Sequence, residues 1–227
     1  TNSEVSGGQS YSGLADIVLT RIDPRGNIEW VCENSSFNTP GWEYQPRIAV
    51  KGDYIYMTLT TVSNSGSSKS SDIVICKFAK SDGSIVWKVQ NGQINFPAQY
   101  PSPNITSSTV IDTAENDTWL AVSADYDGNA YVAFASSGQI SGGESSGDKD
   151  IILCKISTSG EKVWNYQSSQ INTSGIDLPF DIACKYDDIY VLGYGQQGPG
   201  VHRVNKSGNY VSTTSVTPSY FSYSIDN

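Results

Sequence analysis

The chain has 227 residues, of which 37% are apolar, 11% aromatic and 16% charged, and 14 Lys and Arg against 23 Asp and Glu give a net charge of −9. That balance offers no basic field to phosphate backbones or anionic membranes, so nucleic-acid binding is not expected, and no run approaches the roughly 18 apolar residues of a membrane span. The length suits one aromatic-rich all-β domain, and no amphipathic helical stretch of useful length occurs.

From residue 16 onward two kinds of hairpin alternate. The first is Asp16-Ile-Val-Leu-Thr-Arg-Ile, which passes through Gly26-Asn27 to Trp30. The second runs from Ile48 to Met57 and bends at Lys51-Gly52-Asp53, with apolar and polar residues alternating as in a half-buried strand. The first kind returns as Asp72-Ile-Val-Ile-Cys-Lys-Phe, through Asp82-Gly83 to Trp87. Leu120 to Val132 then repeats the second kind, bending at Asp125-Tyr-Asp127-Gly128-Asn129. Asp150-Ile-Ile-Leu-Cys-Lys-Ile, Gly160 and Trp164 follow, then Ile182 to Val191, then Val201 to Val204 with Gly208-Asn209 and Tyr210. Asp-Gly and Gly-Asn at these bends supply the left-handed conformations that tight hairpins need.

One hairpin of each kind makes a four-stranded antiparallel meander, and meanders in series predict the blades of a β-propeller. The aromatic residues that close the first kind stand 57, 77 and 46 residues apart, and the variation sits in polar rim segments at 63–71, 91–116 and 136–149. The predicted units are a half blade at 1–34, blades at 45–90, 118–167 and 179–215, and a closing strand at 216–227 that echoes 179–188. An unclosed fan exposes strand edges, so three completions are considered: a piece of a longer ring, two copies sharing one ring, or a small four-bladed ring. The first is favoured.

The Asp-Ile-Val-x-x-Lys/Arg strand, the Gly-Asn/Ser-Ile-x-Trp strand and Asp125-x-x-Gly128-Asn129-x-Tyr131-Val132 resemble the bacterial-type seven-bladed β-propeller repeat across nearly the whole chain. A weaker similarity is to the quinoprotein-like propeller repeat, which also closes blades with Gly-x-x-x-Trp. The first resemblance implies a scaffold or binding module of an extracellular, surface or particle-associated protein. It implies no catalytic residues and no cofactor.

Residue chemistry agrees with that expectation. Cys76 and Cys154 hold equivalent strand positions and read as small buried hydrophobes, with free thiols expected for all four cysteines. The single His202 has no second imidazole for a metal site and no oriented nucleophile for a triad. The Asp125 loop lacks the acidic twelfth position of a calcium loop, where Ser136 stands, and reads as a hairpin turn. Glu43, Asp53, Asp112, Glu115 and Asp117 are carboxylates of the type glycoside cleavage uses, but sequence does not show them converging.

Trp30, Trp87, Trp164 and Tyr210 are expected to fill the wedges between blades. Trp42, in the loop-like context Thr39-Pro40-Gly41, is the candidate contact residue. Asn-x-Ser/Thr triplets at Asn34, Asn104, Asn116, Asn172 and Asn205 suggest an exposed, glycosylated protein. The function expected is thus a noncatalytic structural or protein-interaction propeller in a surface, extracellular or virion-like assembly. Its partners are other protein chains: a second copy, or the remainder of a longer propeller. The alternative is a carbohydrate-binding or carbohydrate-active propeller that meets glycans through acids and aromatics at the axial mouth.

Overall fold

The structure, a computed structural model, describes residues 15–34, 37–39, 41–62, 71–90, 111, 113 and 115–216. The rim segment 63–70, most of 91–114 and the expected closing strand after Val216 lie outside them. The described elements are all strands. A two-stranded half blade holds β1 (Leu19–Ile22) and β2 (Ile28–Cys32). The first full blade is β3 (Trp42–Lys51), β4 (Tyr54–Val62), β5 (Ser71–Ala79) and β6 (Ile85–Gln90). The second is β7 (Asp117–Ala124), β8 (Ala130–Ser136), β9 (Asp150–Ile156) and β10 (Lys162–Tyr166). The third is β11 (Leu178–Lys185), β12 (Asp188–Gly195), β13 (Gly198–Asn205) and β14 (Tyr210–Ser215). Every strand pairs antiparallel with its sequence neighbour within the blade, as a meander requires.

The apolar cores lie between the sheets, which makes the arrangement a propeller. One cluster joins Leu19 and Phe37 of the half-blade region to Ile55, Met57, Leu59, Val74 and Phe78. A second joins Ile73, Ile75 and Trp87 of the first blade to Val122, Val132, Phe134 and Ile152 of the second. A third joins Tyr131, Ala133 and Leu153 to Ile182, Ile189, Val191 and Val204. Strands β3, β7 and β11 neighbour one another and are therefore the innermost strand of each blade, which leaves β6, β10 and β14 outermost. The described blades fan about that axis without closing a ring.

Each boundary is fastened by the same contact. Trp30 Nε1–H donates to the Lys80 carbonyl, Trp87 to Thr158 and Trp164 to Lys206, at 3.2, 2.8 and 3.0 Å. The acceptors all lie in the outer hairpin turn of the next blade. In that turn a glycine with φ near +90° or somewhat below (Gly83, Gly160, Gly208) lies under the indole. A Cβ there would come within 2.7, 3.1 and 2.9 Å of the ring, so both the backbone conformation and the space demand glycine.

The register corrects one expectation. Trp30, Trp87 and Trp164 pair with Arg21, Lys77 and Lys155, but the equivalent Arg203 pairs with Ser212. Tyr210 pairs with Val204, the position that Ile85 holds opposite Phe78. A bulge beside each of these pairs shifts the strand, so Tyr210 packs between blades as expected, but on the second blade behind it, where the tryptophans face the blade ahead.

Trp87 is 1% exposed. Trp87→Ala should therefore lower unfolding free energy by about 3–5 kcal/mol in urea titration, whereas a loss below about 1 kcal/mol would contradict its place in the core.

Candidate functional site

Each blade has a forward face, toward the next blade, and a backward face. On the forward face a transverse row crosses the sheet: Ala49, Tyr56, Lys77 and Trp87 in the first blade, and Ser123, Tyr131, Lys155 and Trp164 in the second. Several members of the row donate to the next blade, while Ser123 accepts from the Cys184 amide at 3.1 Å. Tyr56 Oη–H and Lys77 Nζ reach the Gly128 carbonyl at 3.0 and 3.4 Å, Lys155 Nζ reaches Lys206 O at 3.4 Å, and Arg21 reaches Lys80 O at 2.7 Å. The backward face offers the turns that accept. In the half blade Ile22 and Ile28 of that face are exposed, and among the described residues nothing approaches within 4 Å of a Cβ built on Gly26. Ile48 and Val50 of β3 are also exposed, beside a half blade that has two strands where a full blade has four. On the third blade Leu192 is exposed and the row reads Ala183, Tyr190, Arg203, Ser212, with Arg203 held by Asp188 at 2.6 Å.

The innermost strands carry a second surface. Each has a register shift at a matching place, between Tyr44 and Arg47, Thr118 and Ala121, and Pro179 and Asp181. Gln45 and Trp119 in two of these bulges have φ of 53° and 58°, a conformation that bulky side chains rarely adopt. The bulges turn side chains outward, and Trp119, Phe180 and Tyr194 are 43%, 46% and 49% exposed. Their rings form a strip with centroids 6.0 and 6.4 Å apart. Trp42, at the start of β3, is exposed. At the opposite end of the inner strands Lys51, Tyr126, Lys185, Tyr186 and Lys206 line a cavity of about 500 Å³.

The carboxylates named from sequence do not meet in one open site. Glu43 is buried at the foot of β3, where it accepts from the Thr39 hydroxyl and amide and the Thr61 hydroxyl. Asp117 is buried at the foot of β7 and accepts from Thr113 at 2.9 Å, and Asp177 likewise accepts from Thr173. These pairs anchor the entry to each inner strand. Desolvation raises Glu43 to about 7 despite its hydrogen bonds. Asp53 and Glu115 are exposed, and Asp112 lies outside the described residues. Asp125 is a turn anchor: burial alone would raise its pKa, but hydrogen bonds from Asn129 and Tyr131, with the Lys206 charge, bring it below the usual range. His202 is buried, its Nδ1 bonded to the Thr213 hydroxyl at 2.9 Å, and desolvation lowers its pKa. It borders a cavity of roughly 100 Å³ with Asp177 and Gln170. All four cysteines are free thiols, and burial pushes Cys76 and Cys154 up to about 12. Among the described residues no group of three His, Cys, Asp or Glu is placed to hold a metal ion.

A buried asparagine was not foreseen. Asn172 Oδ1 accepts from the Ile151 amide at 2.7 Å and its Nδ2 donates to the Ile151 carbonyl at 3.0 Å. Asn38 holds Ile17 in the same way, at 2.9 and 3.0 Å. Both stand eight residues after a blade tryptophan, as Asn95 stands after Trp87 in the sequence. That spacing is the signal that could have separated this asparagine from a glycan acceptor.

No family model matches the chain, and no curated protein matches it. Among solved structures it is similar to a protein of unknown function from Bacteroides caccae, at 10% identity, with a TM-score of 0.43 over 85% of this chain and 52% of that one. The chain thus spans about half the length of that protein.

With both amide atoms of Asn172 bonded to backbone, Asn172→Ala should cost about 2–3 kcal/mol, because it strands a buried N–H and C=O. Peptide mass mapping of native material should find residue 172 unmodified.

Proposed function

We propose that the chain is a noncatalytic β-propeller module of the bacterial-type seven-bladed repeat, acting as a structural or protein-interaction unit in a surface, extracellular or virion-like assembly. One observation carries this reading. The receptor turn that takes an indole at three blade boundaries recurs at Gly26, where none of the described residues lies over it and Ile22 and Ile28 beside it are exposed. Its partner is another protein chain with a blade-like face, including a second copy or the remainder of a longer propeller. An apolar face rimmed by backbone acceptors favours such a partner, because its burial supplies affinity and its turn carbonyls set the register.

The aromatic strip favours a second reading, a carbohydrate-binding propeller. Trp119, Phe180 and Tyr194 expose flat apolar rings beside one another, and Trp119 holds a backbone conformation that costs about 1–3 kcal/mol. Neutral saccharides, which stack on rings and need no cationic pocket, suit a chain of net charge −9.

Equilibrium sedimentation of the chain and of Ile28→Asp tests the first reading. Ile28 is 61% exposed, so the substitution should leave folding almost intact. A concentration-dependent rise in mass that the substitution abolishes is expected. A single-chain mass for both proteins at every concentration would remove self-assembly through this face. Selective glycan-array binding lost in Trp119→Ala would move the function to the strip.

A further inference from the structure

Lysines and exposed tyrosines converge at the end of the fan opposite the aromatic strip. The cavity of about 500 Å³ there is walled by Lys51 of the first blade, Asp125 and Tyr126 of the second, and Lys185, Tyr186 and Lys206 of the third. Lys51 Nζ lies 3.6 Å from the centre of the Tyr126 ring, and Lys206 Nζ stands 3.7 Å from Asp125 Oδ2, so ammonium groups from two blades rest on the inner turn of the blade between them. Cys184 lines the same cavity. Burial raises its thiol, the Lys206 charge lowers it, Asp125 raises it, and Lys51 and Lys155 lower it, so charges from all three blades reach one sulfur. Lys51 and Lys185 join no carboxylate among the described residues. Of the two acids on the wall, Asp125 is buried and already accepts from Asn129 and Tyr131, and Asp187 is exposed to solvent.

The turns that carry Lys51 and Lys185 match except at one residue. Lys51 pairs with Tyr54 across Gly52 and Asp53, and Lys185 pairs with Asp188 across Tyr186 and Asp187. Gly52 has φ of 56° and Tyr186 φ of 54°, so an aromatic side chain occupies the left-handed place that the sister turn gives to glycine. Such a backbone costs energy that packing does not return here. Tyr186 is 82% exposed and Tyr126 90%. The negative charge of the chain does not govern this end either. Glu43 and Asp117 lie at the feet of the inner strands, and the length of β3 puts Glu43 about 25 Å from Lys51, some three Debye lengths at physiological salt.

We propose that this cavity binds a small ligand carrying a sulfate or phosphate group on a sugar ring, with Lys51, Lys185 and Lys206 holding the oxyanion and Tyr126 and Tyr186 stacking on the ring. Ammonium groups that converge from different blades suit an oxyanion with several acceptor oxygens, each able to take a charge-assisted hydrogen bond. The phenol rings offer flat apolar faces to the carbon skeleton of a sugar. This site is separate from the open face of the half blade and from the aromatic strip, and neither is needed to form it.

Isothermal titration calorimetry of the full chain with galactose 6-sulfate, galactose 6-phosphate, inorganic phosphate and galactose tests this. At least one ester should bind about tenfold more tightly than inorganic phosphate and than galactose, and the tighter ester identifies the oxyanion. Lys51→Gln and Lys185→Gln should each weaken that ester about tenfold, and added salt should weaken it further. Tyr186→Gly, which installs the residue of the sister turn, should lose affinity about fivefold while its urea midpoint stays level or rises, a combination that a merely structural tyrosine would not give. No saturable binding of either ester, an ester bound no better than inorganic phosphate or galactose, or an affinity unchanged in both lysine variants would overturn the proposal.

Discussion

The fold depends on a single repeated fastening, in which an outer-strand indole lies on a glycine of the next blade and donates its N–H to a carbonyl of the same turn. The contact joins two requirements. Burying the ring supplies nonspecific apolar energy, and the N–H bond fixes where along the turn that ring must lie. Because the acceptor is backbone, side chains in the turn are free to vary: Lys80, Thr158 and Lys206 serve equally. The apolar clusters follow from it, since each is shared across a boundary that the fastening closes.

Much of this was legible in the sequence. The Asp-led strands, the Gly turns and the three tryptophans mark the blades because a hairpin that buries one face must repeat both its alternation and its turn chemistry. The wedge role of Trp30, Trp87 and Trp164 was readable for the same reason. Tyr210 differs, because it stands two residues after its glycine where the tryptophans stand four, and a one-residue bulge between those positions turns them to opposite faces. Trp119 stands in a bulge with left-handed backbone, a conformation with no sequence signature when the residue is not glycine.

The acids show a different limit. Glu43 and Asp117 were read by residue type as possible catalysts, and they are buried strand anchors held by a threonine four residues earlier. The threonine is visible in the sequence, but its meaning comes from a third partner on a neighbouring strand, Thr61 in one case and Ser136 in the other. Asn172 likewise matches a glycosylation triplet while its side chain is consumed by Ile151. Short motifs identify which groups are available, whereas burial decides which of them are already spent.

The transverse row gives the first two blades a polarity: ammonium and indole on one side, joined in the first by a tyrosine hydroxyl, and turn carbonyls on the other. Two forward faces brought together would confront donors with donors, and two backward faces would confront acceptors with acceptors. Stacking by this chemistry is therefore vectorial. A symmetric, two-fold contact between like surfaces does not reproduce that pairing of donor with carbonyl.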